Sequence, residues 1–237
     1  MSKNVQIMLL ITALAVGGRV GYIFYQRHQD NVRAMNKPQA APLNPDYYVT
    51  PKKIYAYDLK SAKQQLTQQP VWIKVGYSIT YYPYDSARRH ADLSHESGLL
   101  LPLERMEIKD VIAEDAAKSP GQRQLMAVFA KDGRTYAFPV GVVEGDDYHF
   151  FANDMVFVED PHTLYTDWPT DVWQSIDKHE VKPGMSELQA DFAVGMGVPE
   201  SGGDDAQKTV DYANGGKPLS VTFSNGKATA IKNGAGS

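Results

Sequence analysis

Six histidines are the first candidates for chemistry in this chain: His28, His90, His95, His149, His162 and His179. Only the run RRHADLSHE brings two together, His90 and His95, with Asp92 and Glu96 beside them. A metal needs converging donors. A separation of five does not stack side chains on one helix face, where three or four would. No third histidine follows at a metalloprotease spacing. An exposed polar loop accounts for the run. Nucleophilic chemistry has less to work with, because the chain holds no cysteine and no G-x-S-x-G. There is also no P-loop and no G-x-G-x-x-G opening a helix. Gly195-Met196-Gly197 follows a helical stretch and reads as a cap and turn. Asp146-Asp147 and Asp204-Asp205 sit in Gly-rich loops without the regular oxygen offsets that calcium requires. The expectation is a protein with no catalytic residue, no cofactor and no metal.

A contact surface is better supported than a reaction. Tyr77, Tyr81, Tyr82 and Tyr84 are followed by Arg88 and Arg89. Aromatic residues beside arginine resemble a protein-contact patch. Stacked tyrosines could also meet sugar rings. Single-stranded nucleic acid would use stacking aromatics beside cations. However, Lys+Arg 24 against Asp+Glu 28 gives a net charge of -4, which argues against nucleic acid. Arg19, inside an apolar run, is a further candidate contact.

The elements that must carry these residues fall into four stretches. Residues 1–26 hold VQIMLLITALAVGGRVGYIFY (residues 5–25), about 30 Å long as a helix and enough to cross a bilayer. The expectation is a single-pass inner-membrane anchor, meeting lipid through residues 5–25, with Tyr22, Phe24 and Tyr25 at the interface. The other reading is a cleaved signal peptide: Lys3, then residues 7–14, then Ala13-Leu14-Ala15 as the cleavage site. Arg27, Arg33 and Lys37 after the span favour a cytoplasmic domain by the positive-inside count. Residues 27–53 are polar and Pro-punctuated and read as a linker.

Residues 54–162 read as β-rich. A short helix over residues 58–69 precedes strand-like runs at 70–84, 98–112, 124–130, 135–143 and 148–158. Asp132-Gly133 makes a turn between two of them. Pro102 and Pro139 belong at edges or bulges. A small antiparallel barrel or sandwich, with an SH3-like form as one option, follows.

Residues 163–233 read as two helices and a hairpin. Asp167 or Thr170 can cap the first helix, which carries Val172, Trp173 and Ile176 on one stripe. Ser186 and Gln189 form a capping box for the second, Met185, Leu188 and Phe192 share a face, and Gly195 supplies a left-handed stop. Asn225-Gly226 between LSVTF and KATAI is a strong hairpin signal. The expected unit is ααβββ, with Trp173 and Phe192 in its core. The predicted fold class is therefore α+β: a transmembrane helix, a β-barrel or sandwich, then the ααβββ unit.

The pattern VKPGMSELQADFAVG (residues 181–195), then VDY and LSVTFSNGKA (residues 219–228), resembles the SmpA/OmlA (BamE-like) outer-membrane assembly lipoproteins. Gly184, Met185, Ser186, Phe223, Asn225, Gly226 and Lys227 carry the likeness. It covers about a quarter of the chain and implies a small protein-binding fold on the periplasmic side. The chain departs from that family in having no cysteine for lipid attachment and in carrying a β-rich region ahead of the motif. Taken together, these features predict a non-catalytic, membrane-anchored accessory or scaffold subunit. Its partners would be other subunits of a larger bacterial membrane complex (envelope-assembly, respiratory or photosynthetic), and not nucleic acid. The alternative is an envelope glycan-binding protein or hydrolase.

Overall fold

The computed structural model describes residues 17–30, 45–76, 79–115, 121–202 and 206–234. The chain divides into two compact units, Met1–Asn44 and Pro45–Ser237. Tyr77, Asp204-Asp205, Arg33, Lys37, residues 5–16 of the expected span and the Ala13-Leu14-Ala15 site lie outside the described residues.

In the first unit, residues 17–30 form a helix (α1), exposed throughout. It carries Arg19, Arg27 and Asp30. No helix among the described residues is long and apolar enough to cross a membrane. The single-pass inner-membrane placement, with its periplasmic domain, is corrected accordingly. Within the described part of this helix Arg19, Arg27 and Asp30 interrupt the apolar run.

The α+β class with a transmembrane helix is also corrected. The described chain is mostly β-sheet with six short helices. After a 3-10 turn at Pro45–Tyr48, α2 (Leu59–Leu66) starts on Asp58, whose side chain accepts from the Ser61 amide at 2.6 Å. Ala62 and Leu66 on its inner face are fully buried.

The strands follow in chain order: β1 (Val71–Ile73), β2 (Ile79–Asp85), β3 (His90–Ala91), β4 (Gly98–Leu100), β5 (Arg105–Met106), β6 (Ile108–Asp115), β7 (Gln122–Lys131), β8 (Arg134–Glu144) and β9 (Asp147–Phe150). Seven of them, β2 to β4 and β6 to β9, form one antiparallel sheet that curls into a nearly closed barrel. β7 and β8 are joined by Asp132-Gly133 at φ 50° and 74°, the two positive angles that a tight hairpin requires. Pro139 sits where the β7–β8 register shifts, so its missing donor falls at a bulge. Leu125, Ala127 and Phe129 point to the barrel core. Met126 and Val128, alternating with them, fill a smaller cluster on the other face.

Two short helices, α3 (Ala152–Met155) and α4 (Pro161–Leu164), flank β10 (Val156–Phe157). β10, β1 and β5 make a three-stranded sheet with β1 in the middle. Trp72 pairs with Phe157, and Ile73 with Val156. The pleat sends Ile73 and Val156 into the barrel core, and Trp72 and Phe157 toward a second core.

That second core lies under α5 (Thr170–Ile176) and α6 (Glu187–Val194). Neither Asp167 nor Thr170 caps α5; Pro169 occupies the cap with no side-chain bond. The Ser186–Gln189 capping box is formed: Gln189 N donates to Ser186 Oγ at 3.2 Å and Ser186 N to Gln189 Oε1 at 2.8 Å. Gly195 ends α6 at φ 93°, ψ 171°, which has positive φ but is not the left-handed helical region. The helices cover a four-stranded antiparallel sheet of β11 (Val198–Pro199), β12 (Gln207–Tyr212), β13 (Leu219–Ser224) and β14 (Lys227–Asn233). The sheet has one strand more than the ααβββ expectation. Asn225 and Gly226 turn β13 into β14 at φ 49° and 73°. Trp173 and Phe192 are both buried, and Trp168 packs against both, tilted on Trp173 and edge-on to Phe192. The Trp168 Nε1–H donates to Asp46 at 2.8 Å.

Phe157 serves both the three-stranded sheet and the ring cluster, lying 6.0 Å from Phe192 between centroids. Phe157→Ala should therefore destabilise the protein by about 3–5 kcal/mol. In urea titrations followed by tryptophan fluorescence and by far-UV circular dichroism, both signals should move to the same lower midpoint.

Candidate functional site

Of the described tyrosines expected to form one patch, Tyr82 and Tyr84 share a face and Tyr81 lies on the other. Tyr81 turns into the barrel, edge-on to Phe129 at 5.8 Å and to Tyr136 at 5.0 Å. Its ring lies over Gly98 on the facing strand, where a Cβ would come within 2.9 Å of the phenol oxygen. Tyr82 and Tyr84 pack on the opposite side of the sheet, half-buried over the smaller cluster. Burial raises the Tyr82 pKa. The alternation is the ordinary period of a strand. Tyr81 and Tyr84 therefore offer no joint platform for stacking on a sugar ring.

Arg88 and Arg89 are exposed on the β2–β3 turn, and both are engaged. Arg88 lies 3.6 Å from Asp85, and Arg89 lies 3.3 Å from Asp110, which Lys63 also approaches at 2.8 Å. Arg19 is exposed on α1. His90 and His95 go to different carboxylates, Glu114 at 2.9 Å and Asp92 at 2.7 Å. Hydrogen bonds from Ser94 and His95 hold Asp92 down at about 2. Among the described residues no group of three or more His, Asp or Glu is placed to hold a metal.

The concave surface lies elsewhere, around the turn Asn214–Lys217 between β12 and β13. Three openings meet there, of about 480, 270 and 90 Å³, and all three include Asn214. The smallest is a cleft walled by Leu99 and Leu101 on one side and Val194 and Met196 on the other. Leu99 is 44 % exposed and Met196 65 % exposed. The Leu101–Glu104 turn that carries one wall is fastened to β1. Leu103 N donates to Ile73 O at 2.9 Å, and Ile73 N to Glu104 O at 3.2 Å. Glu104 accepts from Leu101 N at 3.2 Å and is ion-paired with Lys131.

The opposite wall follows from the end of α6. Gly195 packs beside Pro102, a Cβ there falling 3.8 Å from the ring. Met196 reaches over Gly76, whose added Cβ would lie 3.5 Å from the methionine methyl. Gly197 is wedged into the sheet. A Cβ on it would be 2.3 Å from Val210 and 2.8 Å from the Tyr212 ring, so no larger residue fits there. The floor is Gly215, at φ 57°, where a Cβ would touch Leu101 at 3.0 Å. Gly215 is thus favoured by both backbone angle and space, and Gly216, at φ 94°, by backbone angle alone. His179, at φ 55°, borders the two larger openings and anchors itself through Nδ1 to Ala193 O at 2.9 Å.

Beneath this wall lies a carboxylate that sequence reasoning passed over. Burial raises Asp191 on α6 to about 6, and Glu187 adds to the rise. Tyr212, Lys208 and the Gly197 amide act in the opposite direction. The Tyr212 side chain is 1 % exposed and its hydroxyl has no hydrogen-bond partner. Its pKa is pushed up by burial and by Asp191. The phenol and the carboxyl thus stand close enough to act on each other's proton affinity, although their geometry falls short of a well-formed hydrogen bond. Glu187 itself is ion-paired to Lys208 at 2.6 Å.

Sequence reasoning missed Leu99, Met196, Lys178, Asn214 and Lys217 as surface-forming residues, and it placed His179 among histidines with no assigned role. One signal was available: a methionine between two glycines after a helix is a side chain that two positive or crowded backbone positions push outward. Comparison of the chain with family models, with curated proteins and with solved structures gives no match.

The Asp191 environment has a defined pH signature. Below the ordinary aspartate value of 3.8 the group is protonated folded or unfolded, and it costs nothing. Between that value and about 6 the unfolded chain releases the proton while the folded chain keeps it. Stability contributed here therefore falls as pH rises through this window, by about 2 kcal/mol after allowance for partial exposure. Asp191→Asn should raise the melting temperature at pH 7.5 by about 4–8 °C. Differential scanning calorimetry should show that gain vanish by pH 4.

Proposed function

We propose that this protein is a non-catalytic accessory subunit that docks on a larger protein assembly through the cleft between Leu99–Pro102 and Val194–Met196. One observation carries the reading. Leu99 and Met196 are large exposed apolar side chains outside both cores, and both line one cleft whose Leu101–Glu104 side is fastened to β1 by backbone hydrogen bonds. Exposed apolar side chains in a concave setting with a polar rim mark contact sites. Methionine suits such a surface because its unbranched thioether adapts to a partner. The small volume of the cleft, about 90 Å³, suits one or two anchoring side chains and not an enclosed substrate. The likeness of residues 181–228 to a protein-binding family agrees with this reading in kind. The tyrosine–arginine surface supports it less, because Tyr81 faces inward and both arginines are engaged.

The test is position-specific photo-crosslinking. A photo-reactive phenylalanine at Met196 should give a discrete crosslinked protein in the native host, while the same probe at Tyr57, exposed in another part of the chain, should not. Leu99→Asp should abolish the crosslink without lowering the melting temperature. With the partner purified, Leu99→Asp should bind at least about tenfold more weakly than the natural chain. Equal crosslinking from positions 57 and 196, or equal affinity of the two proteins, would refute the assignment.

A further inference from the structure

The cleft opens into a basin of about 270 Å³ bordered by Leu101, Lys178, His179, Asn214, Gly215 and Lys217. No carboxylate lines it. Lys178 and Lys217 are exposed, and neither makes an ion pair among the described residues. On a chain of net charge -4, two ammonium groups that make no ion pair among the described residues bring positive charge to one concavity. Glu180 lines the larger neighbouring opening and not this one. The histidine is oriented: its Nδ1–H donates to the Ala193 carbonyl at 2.9 Å, so Nε2 of the neutral ring is an acceptor and the donors of the basin are the two lysines and Asn214. Lysine and asparagine supply donors, and no acceptor-only side chain lines the basin itself, although Glu180 shares the larger neighbouring opening with Lys217.

Resting on the docking reading above, we propose that this basin receives a carboxylate of the partner. The occupant of the whole groove is then an extended peptide segment with an apolar side chain next to an acidic one. The apolar group fills the cleft between Leu99 and Met196, and the carboxylate turns over Gly215 to Lys178 and Lys217. Charge complementarity selects this occupant over an apolar segment alone. Opposite charges at the rim set orientation and reject partners that place a lysine there. The arginines on the β2–β3 turn do not compete for this role, being tied to Asp85 and Asp110.

Two dipeptides test the assignment on the full chain labelled with nitrogen-15: acetyl-Leu-Glu-amide and acetyl-Leu-Gln-amide. Amide shifts are followed by NMR at low ionic strength. The glutamate peptide should move resonances of residues 99–102, 178–179 and 213–217. It should bind about threefold to fivefold tighter than the glutamine peptide, the range expected of an exposed ion pair. In the K178Q/K217Q variant, which alters only exposed side chains, that preference should disappear while glutamine-peptide binding stays. Equal affinities in the natural chain would overturn the carboxylate assignment and leave the cleft as a docking surface. Preference surviving in K178Q/K217Q, or no shifts from either peptide, would also overturn it. Inorganic phosphate moving the basin resonances where neither dipeptide does would mark a free-anion basin and defeat the proposal.

Discussion

The rest of the Pro45–Ser237 unit depends on two pairs of facing residues. Trp72 opposes Phe157 and Ile73 opposes Val156 across the junction of β1 and β10. One residue of each adjacent pair enters the barrel core and the other enters the helix-covered core. A strand has only two faces, so this small sheet forms a wall with a different interior on each side. A slip of register by one residue would exchange every side chain between the two cores. Mutual shape therefore fixes the register, although each strand is only two or three residues long.

The wall also explains why the cleft stands where it does. The end of β1 receives the Leu101–Glu104 turn through the Leu103 and Ile73 amides. Lys74, one residue further, bonds Met155 O through its amide and Asn153 O through its ammonium, and it lies 5.0 Å over the Phe157 ring. Burial lowers its pKa, which is the cost of placing an ammonium at that seam. On the other side, Phe157 packs against Phe192 of α6, the helix whose end throws Met196 outward. Both lips of the cleft are thus tied to the same pair of strands. A binding surface built this way presents its anchors with little freedom to lose, the condition under which a small contact area gives useful affinity.

Local signals were legible in the sequence and long-range ones were not. Asn225-Gly226, Asp132-Gly133 and the Ser186–Gln189 box each depend on residues within a few positions, and each forms. The expected membrane helix was read from hydropathy over residues 5–25, of which only 17–25 are described; there the helix reaches Arg27 and Asp30 within a few turns. The α+β expectation overweighted helices that prove to be four to eight residues long in the second unit. β5, β10 and β11 are two-residue strands, too short for any periodicity to show. The tyrosine cluster was misleading because neighbours in a strand are not neighbours in space. The cleft draws on residues 76, 99–102, 194–196 and 213–216, which only the wall brings together. Asp191 was given no role in the sequence reading. Its burial arises from Gly197 and Tyr212, which no local pattern reports.

The central claim is that one wall makes the two cores a single cooperative structure that holds the cleft rigid. Native-state hydrogen exchange across a urea series tests it most directly. Amides of Leu125, Ala127 and Phe129 in the barrel, and of Val210, Val221 and Phe223 in the four-stranded sheet, should converge on one opening free energy with one denaturant dependence. If the four-stranded sheet instead opened at distinctly lower free energy while the barrel stayed protected, the wall would not couple the two cores and the account would fail.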